Sequence, residues 1–450
     1  MKTRKFTRRQ VITTTSAGLL GSLLNFSFSP YSIGGSDQLK TLAINGGDKV
    51  HKGSWPGWPE WDRSAEQGII EMFRTGRWWR GGGEHVAEFE KKYAELIGAR
   101  RCLATASGTT ALMTALNVAG VDAGDEVLVS PYTFIASYNV IFAHRALPVF
   151  VDSDPATFLM DPKKIEERIT ERSVAILPVH IYGLPVDMDS VNRVAKKHNL
   201  MVVEDACQAW LAEYRGKKTG TLGDLGCFSF QNSKHLPAGE GGAITGNDDD
   251  LLDRCNAYHN CGRPYGNMKK GPGNMYNGMN YRMQQSQALI LMSQMNRIHK
   301  DNDTRLSNAL YLDSKLSRIP GIIPYRLAEG ATRAVYHLYP FRYISEEFNN
   351  IPKEKFIRAL NAEGVPCSSG YGKQNHDGLI EEQITSKGYK RLFPESRLKQ
   401  WREENVLPGN DRLCDEAVTF YQSILLGSKP DMDDIVNAIT KIYENRASLV

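Results

Sequence analysis

Residues 200–209 read LMVVEDACQA. Four consecutive apolar residues without alternation mark a strand buried on both faces, the habit of a parallel sheet covered by helices. The run ends by delivering two carboxylates, Glu204 and Asp205. Successive strand side chains point to opposite faces, so one of the pair can enter a central crevice while the other cannot. Similar runs lie to either side: RCLAT from 101, EVLVSP from 126, LPVFVD from 147, VAILPVHIYG from 174, CFSF from 227 and GAIT from 242. Helical stretches separate many of them, at 110–118, 162–169 and 188–198. Alternating strands and helices predict an α/β fold with a mainly parallel sheet.

Upstream, residues 40–83 are rich in Gly, Trp and Arg and read as loops around a helix near 65–73. Residues 84–97 carry Val86, Phe89, Tyr93 and Leu96 at helical spacing. From about residue 300 the helices lengthen and strands thin out. The expected division is a large domain over 40–299 and a smaller C-terminal domain over 300–450, in keeping with a chain of 450 residues.

The first 32 residues stand apart and are expected to be an export signal. Their basic start and uncharged, mildly apolar continuation have the layout of one, and Thr7-Arg8-Arg9-Gln10-Val11-Ile12 looks like a twin-arginine motif. A periplasmic protein is expected, with an uncleaved anchor as the alternative. Thr13, Thr14, Thr15 and Ser16 interrupt the apolar stretch, so no stable membrane span is expected. The formal charge of +4 is misleading. Residues 1–30 hold five basic residues and no acid, which leaves the remainder near neutral. That lacks the basic excess of a nucleic-acid binder. Seven scattered cysteines form no CxxC pair and no zinc spacing, which argues against a disulfide framework or a metal site.

Several chemical groups fall at the carboxyl ends of the predicted strands, where open α/β sheets bind ligands. Ser107-Gly108-Thr109-Thr110 precedes an apolar helix, gathering free amides and hydroxyls at the positive end of its dipole. Phe134 follows another strand and offers a flat face, or else is core. Asp205 is an active-site carboxylate or a helix N-cap. Gln208 lies three residues on, on the same side of the turn. Lys234, in GCFSFQNSKHLPAGEGGA (226–243), sits between a strand and a glycine-rich stretch. It is either a solvated surface lysine or a nucleophile. Together these parts meet the needs of pyridoxal phosphate: a lysine for its aldehyde, a carboxylate for its ring nitrogen, a phosphate cup and a ring face. A partly desolvated amine forms a Schiff base more readily because its pKa falls.

With SGTTAL, GDEVLVSPYTFIAS, PVHIYGLPVDM, VEDACQAWLAEYRGKKTGTLGDLGCFSF, SKHLPAGEGGAI and NYRMQQSQALI in order, the chain resembles the DegT/DnrJ/StrS family of sugar aminotransferases over roughly 40–445. The resemblance implies the fold of type-I pyridoxal-phosphate enzymes, a large, mostly parallel seven-stranded sheet domain plus a smaller α/β domain. It implies that Lys234 binds the cofactor aldehyde and Asp205 its ring nitrogen. Gln208 would lie near the ring hydroxyl and Phe134 on the ring face, with Gly108, Thr109 and Ser229 at the phosphate. Asn280 would reach the phosphate of a neighbouring subunit, which implies a homodimer with shared sites. His180 would line the pocket or serve structure.

The implied activity is transfer of an amino group from L-glutamine or L-glutamate to a ketosugar or ketocyclitol. The openings LAINGG and WWRGGGEHVAEFE resemble the subgroup acting on scyllo-inosose-like acceptors. The alternatives are a sugar dehydratase or epimerase using the same cofactor, and a non-catalytic binding protein on the same scaffold. Residues 364–378, GVPCSSGYGKQNHDG, depart from the family pattern in the substrate-binding part.

Overall fold

The computed structural model describes residues 41–271 and 275–449. Seven strands, β1 (Arg101–Thr105), β2 (Glu126–Val129), β3 (Leu147–Phe150), β4 (Ser173–Leu177), β5 (Met201–Asp205), β6 (Leu225–Ser229) and β7 (Gly242–Gly246), form one sheet. Their order is β1-β7-β6-β5-β4-β2-β3. Every neighbouring pair is parallel except the two that β7 makes, antiparallel to β1 and β6. Every residue of β2, β3, β6 and β7 is buried. This is why these segments read as apolar runs rather than alternating ones.

The crossover helices follow from local signals. Gly108–Val118 begins with Ser107 as N-cap in a reciprocal capping box with Thr110. Met188–His198 begins at Asp187, which accepts from the Ser190 amide. It ends with Lys196, Lys197 and His198 in its last turn and with Asn199 in the left-handed conformation. The helix expected over 162–169 is instead two tight 3-10 turns, Pro162–Lys164 and Glu166–Arg168. The Asp161 cap and the extended backbone at Ile169 leave too few residues for a longer helix, and Lys164 Nζ is drawn to Asp152 at 2.7 Å.

Strand β3 is an outer edge and tolerates Pro148 there. Residues of the later helices cover that edge: the Trp401 indole donates to the Pro148 carbonyl and the Tyr389 hydroxyl to that of Ala146, both at 2.7 Å. Inside the block 300–450 a second sheet, entirely antiparallel, joins Ile322–Pro324, Leu338–Tyr343, Ala417–Tyr421 and Ser368–Ser369. The helix Ile298–Leu316 crosses the expected boundary at 299/300. The segment near 43–50 joins the later half of the chain, because Glu363 accepts from the amides of Ala43 and Val50 and pairs with buried Lys441 at 2.9 Å. We keep the division at 299/300 as a proposal about folding units, with the N-terminal arm assigned to the second.

The expectation of an exported, periplasmic protein with a twin-arginine leader or an uncleaved anchor is corrected. Among the described residues no helix is long and apolar enough to cross a membrane. What those residues form is an α/β enzyme fold, and the pattern that suggested export, residues 1–32, lies outside them. The pattern itself is weak, since four hydroxyl side chains at 13–16 break the apolar stretch an anchor would need.

Candidate active site

The carboxyl ends of β1, β2, β4, β5 and β6 converge on a cavity of about 530 Å³. Its lining includes Gly108, Thr109, Phe134, Asp205, Gln208, Ser229 and Lys234. Sequence positions spread over more than 120 residues thus meet in one place.

Glu204 and Asp205 part company at the end of β5, as strand alternation requires. Asp205 lines the cavity. One carboxylate oxygen accepts from the Ser137 hydroxyl at 2.8 Å and the other from the Cys207 amide at 3.1 Å. No helix follows Asp205, so its bond to Cys207 closes a turn rather than capping a helix. Glu204 faces away and is fully buried. It accepts from the amides of Gly220 (2.7 Å), Leu222 and Gly223 (both 2.6 Å) and from His180 Nε2 (2.9 Å). His180 Nδ1 accepts from the Val186 amide at 3.0 Å. Both ring nitrogens are thus occupied, and the cavity lining does not include His180. The structure places it with Glu204, behind the site.

Lys234 follows β6 on a short turn, its amide bonded to the Gln231 carbonyl. Its Nζ lies in the cavity, 3.5 Å from His337 Nε2 and 5.9 Å from the centroid of a Trp210 ring. Burial lowers the pKa of its ammonium from the ordinary lysine value, against the opposing pull of the Cys207 and Asp205 side chains. The His337 imidazole is pushed well below its usual pKa by burial and by the Lys234 and Arg305 charges, so it is neutral beside the lysine.

The start of the Gly108–Val118 helix forms a cradle. A Cβ at Gly108 would stand 2.7 Å from Ser229 Cβ and 3.0 Å from Cys207 Sγ, so only glycine lets the helix end come this close to β6. Among the described residues no hydrogen bond reaches the amides of Gly108 and Thr109. Two free amides, the Ser229 hydroxyl and the positive helix end together suit a phosphate. Phe134, 55% exposed, offers its ring to the cavity rather than to the core. Gln208 uses its carbonyl for the Tyr182 amide and one amide hydrogen for the Tyr371 hydroxyl, each at 2.8 Å, which leaves one N–H. Asn280 is exposed and outside this cavity, bridged to Asn260.

Sequence reasoning missed Ser137, Thr133, Tyr371 and His337. Ser137 stands three residues after Phe134 and could have been found as the hydroxyl of the next helical turn. His337 and Tyr371 arrive from the distant half of the chain and carry no local signal.

A mostly parallel α/β sheet with a buried lysine, a hydrogen-bonded carboxylate and a helix-end anion cradle at its carboxyl edge defines a cofactor-dependent enzyme of the aminotransferase type. The chain belongs to the DegT/DnrJ/EryC1/StrS aminotransferase family, whose model matches residues 61–420. It is 35% identical over 421 residues to the L-glutamine:2-deoxy-scyllo-inosose aminotransferase of Streptomyces fradiae, covering 91% of this chain and 99% of that protein. In structure it is similar to 3-amino-5-hydroxybenzoic acid synthase, with a TM-score of 0.77, 29% identity and coverage of 87% and 99%. It is also similar to the NtdA protein of Bacillus subtilis, determined with bound cofactor PMP, with a TM-score of 0.70, 26% identity and coverage of 85% and 83%.

Proposed function

We propose that this aminotransferase uses pyridoxal 5'-phosphate to move the amino group of L-glutamine onto the ketone of a cyclitol related to scyllo-inosose. The observation that carries the reading is Lys234 Nζ in one cavity with Asp205, the Gly108–Thr109 helix end and Ser229. The donor and acceptor classes are those named for the Streptomyces fradiae relative. The lining supports an uncharged acceptor. Apart from Lys234 it holds no lysine or arginine among the described residues, its carboxylates are those of Asp205 and Glu240, and it offers hydroxyls and amides from Thr133, Ser233, Gln208, Gln231 and Tyr371. Such a wall suits a polyol better than a sugar carrying nucleotide phosphates.

When bound, the cofactor supplies an aldehyde that condenses with amines and a ring that takes up the electrons of the Cα–H bond. Lys234 Nζ would hold the aldehyde carbon at rest. As a neutral amine, which burial favours, the same Nζ would be placed to take a proton from the donor's Cα and to give it back. Asp205, fixed by Ser137 and the Cys207 amide, would keep a proton on the ring nitrogen. The Gly108 and Thr109 amides and the Ser229 hydroxyl would hold the phosphate. Phe134 would cover one ring face and exclude water, and the spare N–H of Gln208 would meet the ring hydroxyl.

We also infer a homodimer. Phe73, Trp78 and Trp79 are each at least half exposed, and Arg282 lies over a Trp79 ring at 5.9 Å, two residues from exposed Asn280. An aromatic face of this kind beside Asn280 fits a second copy of the chain, to which Asn280 would reach. Sedimentation of the purified protein at micromolar concentration checks this, and a monomer overturns it.

The test of the activity is a visible spectrum of the purified protein with added pyridoxal phosphate. The lysine-bound cofactor gives a yellow band that bleaches on L-glutamine and returns on adding 2-deoxy-scyllo-inosose or scyllo-inosose. A band that survives glutamine, or one the cyclitol fails to restore, refutes the donor or the acceptor respectively. Lys234→Ala is expected to lose the band and all turnover.

A further inference from the structure

The segment that departs from the family pattern, around Ser368–Gln374, is pressed against the cavity wall by a set of close contacts. A Cβ at Gly370 would lie 2.0 Å from the Tyr132 hydroxyl and 2.8 Å from the Ala417 Cβ, so the backbone approaches as only glycine permits. The next residue, Tyr371, stacks on Tyr182 with centroids 5.5 Å apart and planes 10° from parallel. It meets Tyr132 edge-on, also at 5.5 Å. Tyr132 and Tyr182 are themselves joined through their hydroxyls at 3.0 Å. Gln374 adds a side-chain bond to the Thr133 carbonyl. The phenol of Tyr371 is therefore held in place by packing on both sides.

The bonding of that phenol is lopsided. Its oxygen accepts from Gln208 Nε2 at 2.8 Å, which directs its own hydrogen elsewhere. Among the described residues no acceptor receives that hydrogen, while Tyr371 lines the cavity that holds Lys234. With Phe134 it also lines an adjoining outer cavity of about 410 Å³, so the phenol stands where the two spaces meet. Burial pushes its pKa up to about 12, so the group is a neutral donor throughout the physiological range. A neutral O–H can bond an uncharged hydroxyl or ketone oxygen, the kind of oxygen a cyclitol offers, with no counter-charge needed.

We propose that Tyr371 is a specificity residue for the acceptor, its O–H donating to a hydroxyl or ketone oxygen of the bound cyclitol. The inference rests on the function proposed above. A site built to hydrogen-bond a substrate discriminates by leaving that bond unmade with the wrong partner, and Tyr371 supplies such a bond at the passage into the cavity.

The test is Tyr371→Phe, which keeps the ring and its stacking on Tyr182 and removes only the hydroxyl. The variant is expected to raise KM for the keto-cyclitol roughly five- to tenfold more than KM for L-glutamine. Independently of turnover, calorimetric titration with scyllo-inositol, a polyol that cannot react, should show binding weakened by a similar factor. Equal effects on both KM values, or unchanged polyol binding, overturn the proposal. Wild-type protein that forms no cofactor band, or is not restored by a cyclitol, fails the function reading instead and is recognised before the variant is made.

Discussion

Glu204 and Asp205 are chemically alike and adjacent on one strand, yet their surroundings are opposites. Behind the strand, Glu204 is saturated, with three backbone amides and the His180 ring spending its lone pairs. On the cavity side, polar groups are left short. Asp205 has two protein donors, and Nδ1 of His337, a residue of the cavity lining, has no partner among the described residues. Saturation marks a joint that holds the fold, and shortage marks a place arranged around something else, since native interiors rarely leave buried polar groups unpaired without a use.

Exchanging each carboxylate for its amide breaks the comparison most sharply. Asp205→Asn keeps the shape and removes the charge that would hold the ring proton, so turnover should fall at least about a hundredfold. The melting temperature of the cofactor-free protein should barely move. Glu204→Gln should do the reverse. It replaces an acceptor-only group by one that brings two hydrogens into a ring of donors, and breaking such a buried arrangement costs roughly 3 kcal/mol or more. Turnover per folded molecule should stay close to wild type. Denaturant melts and initial rates on the two proteins decide it. A Glu204→Gln protein that is stable but inactive would move the catalytic role across the strand.

That contrast also explains how far the sequence could be read. The strand runs and the helix that starts after Ser107 are local features, and each appeared where expected because burial and helix capping act over a few residues. Even the split between Glu204 and Asp205 follows from strand alternation. His180 could not be settled, because whether a histidine faces a cavity or a carboxylate depends on how β4 and β5 pair. Tyr371 and His337 were invisible for the same reason: Tyr371 lies 237 positions after Phe134, and only the packing of distant segments brings them together. The turns at 162–168 failed for another reason, namely that an ion pair and a short span outweighed a weak helical pattern.

The smallest expected effect concerns the short-changed rings. His235 is pushed well below its normal pKa by burial and by the Arg305 and His337 side chains. His259, whose Nε2 also lacks a partner, is lowered to about 3 by burial and nearby Arg80. A folded-state pKa below the unfolded value of about 6.5 means the unfolded chain binds more protons, so these rings cost no stability above about pH 6.5 and lower it progressively as the pH falls. At about 1.4 kcal/mol per pH unit, the His259 ring removes roughly 2 kcal/mol by pH 5, and His235 acts in the same direction. Urea melts of the cofactor-free protein at pH 7 and pH 5 measure the sum. In His259→Gln the difference between the two pH values should shrink by about that 2 kcal/mol, and in His235→Gln it should also shrink. The glutamine variants carry no titrating ring, so a loss as large as in the unsubstituted protein would mean that those histidines are not held neutral in the folded chain.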